Sequence, residues 1–129
     1  MRNKFKQLKR RLYYRYSNIK EGISNLVKWA PIVWRDRDWD HHYFFETVKF
    51  KLEKMEKFFN SKNCISVGCE DDAKKTRKCI ILVDRIMKDD YYENAEGVKE
   101  WVIHGDYMKR QDVEYLFHLL NKYILTWWD

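Results

Sequence analysis

Proline and glycine are nearly missing from this chain. Of 129 residues, one is proline (Pro31) and four are glycine. The tight turns of an all-β domain draw heavily on both types, so a sandwich or barrel is disfavoured. Apolar residues make up 45% of the chain, which suffices for a packed core and is too many for a disordered chain. The expected fold is all-α. We expect a compact bundle of about five helices with a basic amphipathic N-terminal helix and at most a minor strand.

Hydrophobic periodicity places those helices. Phe5, Leu8, Leu12, Tyr16 and Ile19 recur at spacings of three and four, one stripe of a first helix. Such a stripe calls for docking on the rest of the chain or on a second subunit. Ser17 or Asn18 can cap a second helix that turns Ile23, Leu26, Val27 and Ala30 inward, and Pro31 closes it. A long helix over about residues 41–60 follows from Phe44, Val48, Leu52, Met55 and Phe59. Glu70, Asp71 and Asp72 suit the start of a helix that runs to about residue 92, with Thr76, Cys79, Ile80, Leu82, Val83, Ile86 and Met87 inward. After a break at Asn94–Gly97, Val98–Ile103 is a short apolar stretch. Asp112 can cap a last helix whose inward residues are Val113, Leu116, Phe117, Leu120, Ile124 and Trp127.

Net charge is +6, and it is unevenly placed. Residues 1–20 carry eight Lys or Arg and no acid, while the other 109 residues sum to −2. The chain therefore reads as one α-helical domain over 1–129, with a basic helix at 1–20 and a near-neutral, aromatic-rich body at 21–129. Lys6, Lys9, Arg10 and Arg11 lie away from the centre of the apolar stripe. They are the expected face for an anionic partner, or else a solvated helix surface. No run of apolar residues is long enough to span a bilayer. No signal-peptide stretch follows the basic start, so a cytoplasmic setting and no membrane partner are expected.

The densest local feature is Trp34-Arg35-Asp36-Arg37-Asp38-Trp39-Asp40. Arg offers a fork for phosphate or carboxylate, and Trp offers a stacking plane. Trp34, Arg35, Arg37, Asp38, Trp39, Asp40 and His42 are the expected ligand-binding residues. The competing reading is a structural knot: Asp38 or Asp40 caps the long helix, the arginines bond back, and the indoles plug the core. Asp36, Asp38, Asp40, His41 and His42 are metal ligands by type, but no metal-binding spacing is present, and no metal or other cofactor is expected. Cys64, Cys69 and Cys79 are too few for a disulfide framework and lack the spacing of a zinc site. Cys79 falls on an apolar helix face and reads as core. No nucleophile motif and no phosphate-binding glycine loop occurs. Glu114 and His118 are an i,i+4 pair that reads more readily as a surface contact than as an acid/base pair. The balance leans away from an enzyme.

Three features together resemble a known family. They are the Trp34–Asp40 motif, the aromatic and Lys-rich helix from Tyr43 to Lys57, and the Trp127-Trp128-Asp129 end. The resemblance is to small proteins encoded by tailed bacteriophages, which share a W-[RK]-D-R-D-W-D core and a Trp-Trp-Asp terminus. It covers about residues 25–129 and leaves the basic helix outside. No chemistry is assigned to that family, so no catalytic role passes to any residue here. It implies expression in the bacterial host cytoplasm. The first expectation is an accessory protein, working as a homo-oligomer, that binds a small anionic, nucleotide-type ligand and so sequesters a host defence signal. The alternatives are nucleic-acid binding through the basic helix, and a protein-interaction module that inhibits a host factor.

Overall fold

The computed structural model describes residues 2–92 and 98–127 and is all-helical over them. Helix α1 is Arg2–Arg35, α2 is His41–Phe59, α3 is Cys69–Lys88 and α4 is Val98–Tyr123, with a one-turn 3-10 helix at Asp90–Tyr92. Four long helices thus replace the expected five, and the described residues hold no strand. The chain divides into two compact units, residues 1–38 and 39–129.

The first unit is essentially α1. No break occurs at Ser17 or Asn18, and Pro31 lies inside the helix rather than ending it. A proline removes one donor and crowds the preceding turn. Placed one turn from the end, it costs a single helical bond and leaves the rest of the ladder intact. From residue 6 to 35, every side chain is exposed except the intermediate Ser17, Ser24, Trp29 and Ile32. The expected apolar stripe is present, but Leu8, Leu12, Tyr16, Ile19, Ile23 and Leu26 are all exposed.

In the second unit, Asp40 caps α2 by accepting a hydrogen bond from the His42 backbone N–H at 2.8 Å. Its core-facing residues are Phe45, Leu52 and Phe59. Phe44, expected inside, is exposed, because the inward line starts one residue later. Helix α3 begins with Glu70, Asp71 and Asp72 and ends with Arg85 and Lys88, so both ends complement the macrodipole. Lys74–Glu70 at 2.8 Å and Lys75–Asp71 at 2.7 Å brace its exposed first turns. It stops at Lys88, short of the expected residue 92, because Asp89 adopts the left-handed conformation (φ 57°). Ala73, Thr76, Cys79, Ile80, Leu82, Val83 and Ile86 are all buried, so α3 packs against α2 on one side and α4 on the other.

Ion pairs bridge the same helices. Glu56 of α2 is buried and accepts from Arg77 Nε at 2.6 Å. Lys49 lies 2.6 Å from Asp84, and Lys88 lies 3.0 Å from the same carboxylate. Those two ammonium groups, Lys49 first, hold the Asp84 carboxyl below its ordinary range.

Helix α4 corrects two expectations. Val98–Ile103 is its first turns rather than a separate stretch, and Asp112 lies mid-helix rather than at a cap. Asp112 is buried because its partners come from elsewhere in the fold. It accepts from Arg85 Nε at 2.6 Å, from Arg85 Nη2 and from the Tyr91 hydroxyl at 2.6 Å. Gly105 lies against the ring of Tyr92, and a Cβ there would collide with ring atoms Cδ1 and Cε1. Inward residues of α4 are Leu116 and Leu119; Phe117 and the following Ile124 are exposed instead. Beyond α4, Trp127 folds back and is buried, as expected of the aromatic end. Trp128, Asp129 and the break at Asn94–Gly97 fall outside the described residues.

The Tyr92 hydroxyl donates to Asp106 Oδ1 at 2.7 Å. That bond, followed by desolvation, raises the phenol to about 12. A group whose folded pKa is raised stabilises the fold fully below its unfolded value, about 10 for a phenol. The contribution is then lost as pH rises from about 10 to about 12. The stability gap between wild type and Tyr92→Phe, measured by urea unfolding, is therefore expected to be constant at neutral pH and to close across that alkaline window.

Candidate functional site

Two sites were expected, and the structure treats them differently. The basic residues of α1 are exposed, with Lys6, Lys9, Arg10 and Lys20 on one side of the helix and Arg11 and Arg15 on another. Lys6, Lys9, Arg10, Arg11, Arg15 and Lys20 all project from one helix and are all exposed. Fourteen residues of α-helix separate the first from the last, about 21 Å at 1.5 Å per residue. The first acid along the described part of the helix is Glu21. Aromatic rings are interleaved with these cations. Tyr13 and Tyr14 meet edge to face with centroids 6.2 Å apart, and the Arg10 guanidinium lies 5.7 Å from the Tyr14 ring centroid. Arg10 also donates to the Tyr14 hydroxyl at 3.5 Å.

The Trp34–His42 segment crosses the boundary between the two units. In the first unit, Arg37 closes the end of α1: its Nη1 donates to the Asp36 carbonyl at 2.8 Å and the Arg35 carbonyl at 3.3 Å. A cation on the terminal carbonyls is what the C-terminus of a helix favours. In the second unit, Asp40 serves α2 as its cap, and the His42 ring meets Tyr43 edge to face at 5.5 Å. Arg37 and Asp40 thus perform the bonding that the structural reading of the segment assigns them. The indoles do not plug a core, however. Trp34 is 86% exposed and Trp39 82% exposed. Asp38 is exposed as well.

Hollows in the body lie elsewhere. Two of them, of about 270 and 330 Å³, share Phe58, Phe59 and Trp127 as walls. Asp72 adds a carboxylate to the first. Lys51 and Lys54 stand at the second, and the size of both is near the lower limit for a small-molecule site. A wider cleft of about 700 Å³ mixes Glu56, Glu70 and Asp71 with Lys74, Arg77 and Lys78. Residues 34–42 line none of the three.

Sequence reasoning missed the bond between Cys64 and Cys69. A turn built on Ser61 and Ser66 brings their Cα atoms to 6.2 Å, within disulfide range. The closed loop displays Ile65 and Val67, both almost fully exposed. The alternation of apolar residues between two cysteines five apart is the one signal that could have marked it. Cys79 is buried and free, as expected, and burial pushes its thiol up to about 11, which makes it inert at neutral pH. Glu114 and His118 are both exposed on α4. Among the described residues, no group of three or more His, Cys, Asp or Glu side chains is placed to hold a metal ion. None of the described helices is long and apolar enough to cross a membrane.

No known protein family, curated protein or solved structure matches this chain.

Proposed function

We propose that this protein is a non-enzymatic nucleic-acid-binding protein that grips the phosphate backbone with the exposed face of α1. One observation carries the reading: six exposed cations stand on about 21 Å of one helix with no acid between them. Phosphates repeat every ~3.4 Å along a strand, so a helix of that length can address several of them. Tyr13 and Tyr14 add ring faces beside the cations, which suits contact with unstacked bases. The body's hollows are either small or of mixed charge, which favours a surface grip over a buried ligand. The resemblance to tailed-phage proteins belongs to the same reading, since a phage product in the bacterial cytoplasm is surrounded by nucleic acid.

The test is fluorescence anisotropy of a labelled DNA duplex titrated with the full chain at several salt concentrations. If all six cations reach phosphate, log K falls with log salt at a slope of roughly −5. A flat salt dependence removes the reading. A second reading keeps the small anionic ligand, favoured by the exposed indoles of Trp34 in the first unit and Trp39 in the second, each of which can stack on a base by itself. It predicts saturable binding of a mononucleotide in the same assay, in competition with the duplex.

A further inference from the structure

The continuity of α1 joins two apolar patterns into one. Leu12, Tyr16, Ile19, Ile23, Leu26, Ala30 and Val33 alternate spacings of four and three without interruption. That is a repeat of 3.5 residues, the period of a left-handed coiled-coil seam, sustained over three heptads. Every large residue of the seam is more than half exposed. Pro31 falls on the outer side of the helix, away from this line, as do Arg10 and Arg11.

We infer that the seam pairs with a second copy of itself, in antiparallel orientation. The orientation follows from charge. Residues 1–20 carry +8, whereas residues 21–38 hold Lys28, Arg35 and Arg37 against Glu21, Asp36 and Asp38 and sum to zero. Parallel pairing lays one +8 segment along another. Antiparallel pairing lays each +8 segment along the neutral half of its partner, which brings Asp36 and Asp38 towards its cations. Side-chain size agrees. With the helices crossing at residue 21, Leu12 faces Ala30 and Tyr16 faces Leu26, while Ile19 faces Ile23. These three layers each match a large residue with a smaller or equal one, and Val33 falls opposite Lys9, whose aliphatic stem can cover it. Six large side chains at on the order of 100 Å² each give about 600 Å² per copy, and flanking Tyr13 and Val27 bring this near the ~800 Å² per partner of a standard interface. The pairing rests on the apolar line rather than on the nucleic-acid reading; it leaves Arg10 and Arg11 outward and sets Lys6, Arg15 and Lys20 along the edges of the seam.

Light scattering on the full chain at tens of micromolar tests the pairing. The expected mass is twice the 16.1 kDa of one chain. Ile19→Asp/Ile23→Asp is expected to weaken association at least ~100-fold, because it places two carboxylates in the seam. The separate unit of residues 39–129 should keep its melting transition. Orientation is read by oxidation of cysteine variants. A mixture of Leu12→Cys and Ala30→Cys is expected to form a mixed disulfide, and Leu12→Cys alone none. Cys64 and Cys69 are bonded to each other and Cys79 is buried, so the wild-type chain is a clean control. A monomeric wild type, a dimer unaffected by the aspartates, or self-linked Leu12→Cys would each overturn the inference. A monomer that adsorbs to vesicles containing phosphatidylserine would overturn it too, and would assign the apolar line to a lipid surface.

Discussion

Replacing Lys6, Lys9, Arg10 and Arg11 together with alanine is expected to flatten the salt dependence of duplex binding by roughly three to four units of slope. At ~0.1 M salt the same loss of counterion release amounts to about a thousandfold in affinity. The four residues are exposed, so the contact of Arg10 with Tyr14 is the one described interaction removed with the charge. Alanine is the strongest helix former, so α1 is retained, which circular dichroism can verify. Lys57→Ala/Lys62→Ala, on the second unit, is the matched control and should leave the slope where it was. An unchanged slope in the α1 variant would mean that the basic face is only a solvated surface. A slope lost equally in the control would point to the whole chain's charge rather than to one helix.

The second large effect concerns the fold. Asp112→Ala is expected to destabilise the second unit by about 3 kcal/mol, the lower part of the range for breaking a buried ion pair. Asp112 is buried and takes three hydrogen bonds, two from Arg85 and one from Tyr91. Burial, then the bond to Asp112, raises the Tyr91 phenol, and the Asp112 bond raises Arg85 as well. The alanine removes every acceptor at once and leaves the partly buried Tyr91 hydroxyl without this partner. Arg85 is more than half exposed and regains water, which is why the upper part of the range is not expected. With a urea dependence of about 1–3 kcal/mol per molar, the unfolding midpoint drops by roughly 1–3 M. Tyr91→Phe removes one bond and should cost about 1 kcal/mol. If Asp112→Ala shifts the midpoint no more than Tyr91→Phe does, the guanidinium contributes nothing to the clamp.

Local signals made α2 and α3 legible. Asp40 is a side chain that caps, Glu70 to Asp72 suit a helix start, and the apolar periods that follow are long. The same kind of reasoning failed on α1 and α4 for one shared reason. Ser17, Asn18 and Asp112 are residue types that favour caps, and a sequence does not distinguish a cap from a polar group carried mid-helix. What places Asp112 inside α4 is Arg85, 27 residues away, and Tyr91, 21 residues away. Pro31 misled as well, since the loss of one donor and the crowding of the preceding turn do not stop α1, which continues through it to Arg35. At the site, the basic face of α1 was readable from charge and period. The exposure of Trp34 and Trp39 was not, because indoles ordinarily add the most to a core.

Helix α3 is the one described element that packs against both α2 and α4, while the 3-10 turn packs against α4 and bonds to its Asp112 through Tyr91. A change on α2 perturbs one helix seam, and one on α4 perturbs its seam with α3 or its contact with the 3-10 turn, and each helix leaves an outward face free to vary. A change at Cys79, Val83 or Thr76, all fully enclosed, is felt on both sides at once. In a library of single substitutions scored for soluble expression, the least permissive stretch of the chain is therefore expected to be its centre, residues 72–86, and the most permissive the outer face of α1.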